Sequence, residues 1–171
     1  LLAPGLFVLP VFLPNNAFYA PVLSRWDDAG QRVWLTIDDG PSADTPALLD
    51  LLDKHRARAT FFVVGQRAAA QPELVRQILA RGHSLGNHSH SHPQAHWWRL
   101  GPRALGAQIG QCQQVLTAIT GQPPRWYRSV VGHTNPFVAA VLRAQGLTRV
   151  GWSARGFDGV RCTPQAVLAW I

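Results

Sequence analysis

Methionine is absent from this chain, lysine occurs once, at Lys54, and cysteine twice, at Cys112 and Cys162. Two cysteines with no C-x-x-C pair exclude a disulfide-dense scaffold and a zinc knuckle. They are either two thiols or one disulfide, and the disulfide needs their Cα atoms within about 7 Å. With no Met at position 1 and no terminal signal at Trp170-Ile171, the sequence reads as a fragment of a longer protein. Charged residues are scarce, at 15%, and no low-complexity stretch is present, which excludes a disordered chain. A hydrophobic share of 47% over 171 residues suffices for one domain with a proper core. No dense run of basic residues occurs: the net charge of +7 comes from arginines scattered along the chain. That pattern reads as a solvated surface and argues against nucleic acid as a partner. An anionic membrane surface or an anionic glycan stays compatible with it. Nor is there a run of about 20 apolar residues, the length that spans a bilayer. The apolar segment Leu1 to Leu13, which opens residues 1–26, is either the remnant of a membrane anchor or signal sequence or an apolar strand or loop packed on the domain.

What is present alternates between two periods. Arg32 to Ile37 and Ala59 to Val64 are rich in β-branched and aromatic residues and read as strands. His83 to Asn87, Trp126 to Arg128 and Arg149 to Trp152 read as three more. Between them, helices are predicted from Asp44 or Thr45 to about His55, over 72–80, over 102–120, from Asn135 to about Gly146, and from Pro164 onward, several opening with a proline in the first turn. Strands alternating with helices imply a parallel sheet with helices outside it. An open doubly wound sheet and a closed or distorted barrel both fit, and both place chemistry at the carboxyl ends of the strands. The polar clusters sit there: Asp38-Asp39, His88 to His92, Arg128 and Asp158.

Two adjacent carboxylates at the end of an apolar strand are costly to bury unpaired. One of the pair can bind a cation while the other stays free as a base, or the pair can simply form a turn and helix cap. In His88-Ser89-His90-Ser91-His92-Pro93 the outer histidines are four apart, close enough to chelate one ion. One Asp and two His would meet the catalytic zinc pattern of three protein ligands and an open position. His90 is expected to face away, and His55, His83 and His96 to be ordinary structural or surface residues.

Thr36-Ile37-Asp38-Asp39-Gly40-Pro41, Ala59-Thr60-Phe61-Phe62-Val63-Val64-Gly65 and Gly86-Asn87-His88-Ser89-His90-Ser91-His92-Pro93 together resemble the polysaccharide deacetylases, carbohydrate esterase family four, also called the NodB homology domain. The resemblance runs from about Val33 to Asp158. It implies an α/β fold, a distorted (β/α) barrel, with residues 27–171 as the catalytic domain. It also implies hydrolysis of N-acetyl, in some members O-acetyl, groups on a carbohydrate; glycan chemistry and the apolar start favour the cell envelope. Asp39, His88 and His92 would hold zinc or another divalent transition metal, and Asp38 would be the general base. Arg128-Ser129-Val130-Val131-Gly132 stands where the family has R-P-P-Y-G. Arg128 would there orient Asp38, and the Val131 N–H would bind the oxyanion. In Arg155-Gly156-Phe157-Asp158-Gly159 only Asp158 matches a family aspartate, whose role is to pair with a catalytic histidine. That histidine, the general acid, belongs to a last strand expected after Ile171. Two other readings are a non-catalytic, carbohydrate-binding relative and a magnesium-dependent phosphohydrolase. The histidine tract argues against the latter, since Mg²⁺ prefers oxygen ligands.

Overall fold

The computed structural model of the chain describes residues 3–27, 29–30, 32–157 and 163–169. Five parallel strands form one sheet in the order β1-β2-β3-β4-β5: β1 (Leu35–Gly40), β2 (Ala59–Val63), β3 (Ser84–Asn87), β4 (Trp126–Tyr127) and β5 (Thr148–Arg149). The helices are α1 (Ala3–Phe12), α2 (Thr45–Lys54), α3 (Gly65–Ala70), α4 (Pro72–Ala80), α5 (Pro102–Thr120), α6 (Val138–Ala144) and α7 (Pro164–Leu168). The parallel sheet with flanking helices is the expected α/β architecture and is consistent with a distorted barrel.

Every residue of β2 is buried, as a central strand covered on both faces must be. One core cluster packs Phe61 and Val63 against Leu49 and Leu52 of α2, Val75 and Ile78 of α4, and Leu116 of α5. A second gathers Trp97, Leu105, Ile109, Tyr127, Val138 and Leu142 around β4. Leu105, Ile109, Cys112 and Leu116 recur at helical spacing and give α5 a buried stripe that serves both clusters.

Several boundaries differ from the sequence expectation. The first strand was predicted over 32–37 but runs from Leu35 through Gly40, with Val33 outside it and exposed. The fifth was predicted over 149–152 but is confined to Thr148–Arg149, because other partners claim the backbone that follows. Leu23 bridges Val150, Gly151 N–H donates to Leu23 O, and Trp152 N–H donates to Asn15 Oδ1. The short α3 was not expected. The start of α6 shifts from Asn135 to Val138, since Asn135 Oδ1 accepts the Phe137 N–H in a turn before the helix. Within the N-terminal apolar segment, Ala3–Phe12 is a helix, neither strand nor loop. Cys112 is buried as a free thiol; Cys162 lies outside the described residues.

Candidate metal centre

Strand pairing between β1 and β2 is regular up to Ile37↔Phe61 and resumes, shifted, at Gly40↔Val63. Asp38 and Asp39 occupy that irregularity, and Asp39 adopts φ +65°. In a regular strand the two side chains would point to opposite faces; here the bulge re-aims them. Asp39 turns toward the histidines, and Asp38 toward β4.

The histidine tract is launched by β3. Asn87 is fully buried; its amide donates to Ile109 O at 2.9 Å and to Gln113 Oε1 at 3.0 Å on α5. Its Oδ1 accepts the Ser89 N–H at 2.9 Å, and Ser89 Oγ accepts the His92 N–H at 3.1 Å. His88 N–H donates to Val63 O, and Ser89 O accepts from Gly65 N–H. The turn is thus pinned on one side by β2 and on the other by α5. It places His88 Nε2 3.5 Å and His92 Nε2 3.0 Å from the same Asp39 oxygen, Oδ1. One ligand atom from each of Asp39, His88 and His92 lies within 4.8 Å of the others. Hydrogen bonds from His88 and then His92 hold the Asp39 carboxyl far below the usual carboxylate range, so it stays an anion facing two nitrogen donors. His88 Nδ1 lies 2.8 Å from Arg128 O, which leaves Nε2 free as a ligand atom, the usual second partner of a metal-binding imidazole. This donor set fits a divalent transition metal: mixed nitrogen and oxygen ligands, three in number. His90 is not part of the set. Its ring lies over Gly65, where an added Cβ would stand 2.7 Å from His90 Nδ1.

Arg128 follows β4 and is 1% exposed. Its Nη1 donates to Asp38 Oδ1 at 2.8 Å and to Thr36 Oγ1 at 2.7 Å, and its Nη2 to Gly151 O at 2.9 Å. The guanidinium stacks between Phe62, at 4.2 Å, and Trp152, at 4.6 Å. Burial pulls its pKa down and Asp38 opposes that; a guanidinium remains charged throughout. Val131 stands two residues after Ser129 at φ +47°, in a turn whose Gly132 and His133 N–H groups are bonded to Ser129 O and Val130 O. Of six non-glycine residues with positive φ among those described, four (Asp39, Ser89, His92 and Val131) belong to these loops. Such residues persist only where the surroundings over-determine them.

The sequence-predicted residues Asp38, Asp39, His88, His92 and Arg128 therefore converge. Asp158 lies outside the described residues. Sequence reasoning missed three supports. Thr36 shares Arg128 with Asp38, and Asn87 anchors the histidine turn. From the unexpected α3, Arg67 Nη1 donates to the backbone carbonyl of Asp39. The position of Asn87 directly before the first histidine was the available signal for one of them.

A family model described as polysaccharide deacetylase matches residues 26–150. A chitooligosaccharide deacetylase from Bradyrhizobium sp. (strain ANU 289) is 38% identical over 138 residues, covering 79% of this chain and 62% of that protein. The peptidoglycan-N-acetylglucosamine deacetylase PgdA of Listeria monocytogenes is 38% identical over 124 residues, 72% of this chain but 26% of its own length. Among solved structures, a family 4 carbohydrate esterase from Streptomyces lividans, in complex with acetate, superposes with a TM-score of 0.77 at 35% identity, covering 82% of this chain and 72% of that one.

Proposed function

The chain belongs to the polysaccharide deacetylase family, and on that premise we propose that it hydrolyses N-acetyl groups of a glycan, using zinc or another divalent transition metal held by Asp39, His88 and His92. The observation that carries this reading is the division of labour between two neighbouring carboxylates. Asp39 faces two imidazoles, while Asp38 is held apart from them by Arg128. A purely structural or sugar-binding site has no use for a free carboxylate fixed beside a ligand set.

The bound ion supplies Lewis acidity for the acetyl carbonyl and for the attacking water. Asp38 takes the proton from that water as it attacks the carbonyl carbon. Arg128, itself held by Thr36, fixes Oδ1 of the Asp38 carboxylate, which stays partly exposed. The Val131 N–H donates to the developing oxyanion, a role that needs no particular side chain. Collapse of the tetrahedral adduct with a proton on the nitrogen releases acetate and the amino sugar. By the family resemblance, Asp158 would serve the general acid that delivers that proton. Relatives named for chitooligosaccharide and for peptidoglycan point to a cell-envelope glycan as the substrate class.

The test is acetate release by the protein in its full natural length, against acetylated chitooligosaccharides and peptidoglycan fragments. Acetate should appear in step with free amine, stop on chelation and return with added zinc. Glycan binding with bound metal and no acetate from any substrate would mark the chain as a non-catalytic relative.

A further inference from the structure

Ahead of the matched family region, which begins at residue 26, residues 14–23 lie against the end of β5 on the side away from β4. Leu23 N–H donates to Arg149 O, and Leu23 O accepts the Gly151 N–H, each at 2.9 Å. Arg149 seats the rest of the segment. It is 3% exposed, and among the described residues no carboxylate pairs with it. Its Nη1 donates to Asn16 O at 3.0 Å and Ala20 O at 3.3 Å, and its Nη2 to Pro14 O at 2.8 Å and Gly132 O at 3.4 Å. A buried guanidinium is costly unless its donors are used, and here the planar fork spends them on this segment and on the turn that carries Val131. Pro14 also packs over Gly132, where a Cβ would stand 2.6 Å from the Pro14 Cβ.

This seat delivers Asn15 to Trp152. The strand β5 ends at Arg149, three residues short of Trp152. A side-chain amide offers the same donor and acceptor as a peptide group, and Asn15 uses both. Its Nδ2 donates to Trp152 O at 2.5 Å, and its Oδ1 accepts the Trp152 N–H at 3.2 Å. Gly151 leaves room for this, since an added Cβ there would collide with Asn15 Oδ1. Gly151 and Trp152 are in turn two of the contacts that seat Arg128. Gly151 O accepts from Arg128 Nη2 at 2.9 Å, and the Trp152 ring stacks on the guanidinium at 4.6 Å. Arg128 Nη1 then reaches Asp38 Oδ1 at 2.8 Å.

We infer that Asn15 is a positioning residue for the reaction: through Trp152 it sets the guanidinium of Arg128, and through Arg128 the Asp38 carboxylate. Asn15 is exposed and touches none of the reacting groups itself. Its effect on turnover rests on the deacetylase reading; the mechanical link from Asn15 to Arg128 does not.

The experiment is a double-mutant cycle of Asn15→Ala and Arg128→Met in the protein of full natural length, read in turnover, metal content and thermal midpoint. Asn15→Ala alone should lower kcat about tenfold, as a slightly misplaced base does, with KM and bound metal unchanged. In the Arg128→Met chain the group through which Asn15 acts is already gone, so adding Asn15→Ala should change kcat by less than about twofold. The drop in thermal midpoint caused by Asn15→Ala should likewise be smaller in the Arg128→Met chain than in the wild type. A tenfold loss in both backgrounds would overturn the inference, since it would mark a role independent of Arg128. Wild-type turnover in Asn15→Ala would overturn it too, as would a rise in KM at constant kcat, which would make Asn15 a substrate contact. Additive midpoints would break the link itself, whether or not acetate is released. Coupled midpoints in a chain that releases no acetate would uphold the link and fail the deacetylase reading instead.

Discussion

Replacing Arg128 with methionine separates two jobs that one residue performs. Its side chain holds Asp38; its backbone carbonyl holds His88 Nδ1. Methionine fills similar apolar volume between Phe62 and Trp152 but donates nothing. Asp38 loses a charge-assisted hydrogen bond worth about 1.5–3 kcal/mol, and the Gly151 carbonyl and Thr36 hydroxyl lose partners worth about 1 kcal/mol each. Against this, the cost of desolvating a guanidinium disappears, and Asp38, 26% exposed, regains water. The net loss of stability should be about 2 kcal/mol, or about 4–8 °C in thermal midpoint for a chain of this size. Turnover should fall further, by about a hundredfold, because a misplaced base loses its alignment with the water it serves. Metal content should not change, since the carbonyl that orients His88 survives any side chain. The assay is metal analysis and acetate release on the same folded sample, beside Arg128→Lys. Lysine keeps the charge but cannot reach carboxylate, hydroxyl and carbonyl together, and should fall between wild type and methionine in turnover. Loss of metal together with turnover in a folded Arg128→Met variant would refute the reasoning, because the side chain would then be supporting the ligands as well as the base.

Three further outcomes follow from the same geometry. Asp38→Asn should keep metal and lose about 10²–10⁴-fold in turnover, whereas Asp39→Asn should lose metal too; equal metal loss in both, by elemental analysis, would merge the two carboxylates into one ligand set. His92→Ala should strip the metal while His90→Ala retains it, and the reverse result would misassign the tract. Stability should also respond to pH through His83, whose Nδ1 accepts the Ala59 N–H and whose pKa is lowered from 6.5 by burial and then by Arg58. The unfolded chain takes up the proton first, so the stabilisation is complete above pH 6.5 and is lost as pH falls below it. Urea midpoints measured against pH should show a shallower decline for His83→Gln than for the wild type.

The site was legible in the sequence to the extent that its chemistry is carried by neighbours in the chain. Asp38-Asp39 and the spacing of His88 and His92 were enough to name a donor set, and Arg128 came from a motif kept at its first and last residues. What could not be read was the agency that separates Asp38 from Asp39. A register shift between Ile37 and Gly40 leaves no mark in a strand-like stretch, because it depends on how β2 pairs with it. Arg67 was illegible for a related reason: α3 is a single short helix beginning at Gly65, set by contacts with α5 rather than by its own periodicity. The helices α4, with Val75 and Ile78 buried, and α5, with its long buried stripe, fell where their apolar spacing placed them. The shortest strands, β4 and β5, did not, and at β5 the end is decided by partners distant in the sequence, Leu23 and Asn15.

The left-handed residues around the candidate centre set a direction for how the protein would drift under the wrong pressure. A non-glycine residue in that conformation costs about 1–2 kcal/mol, most for a β-branched one such as Val131. Variation screened for heat resistance alone should therefore favour glycine at Ser89 or Val131, where the gain is immediate. At Val131 the change is harmless in principle, since only a backbone donor is asked of it. At Ser89 it removes the hydroxyl that accepts from His92 N–H and slackens the turn on which both imidazoles ride. On the proposed reading, a lineage that grew hardier by that route would keep its fold and its aspartates while its donor set loosened, through a substitution that touches none of the three proposed ligands.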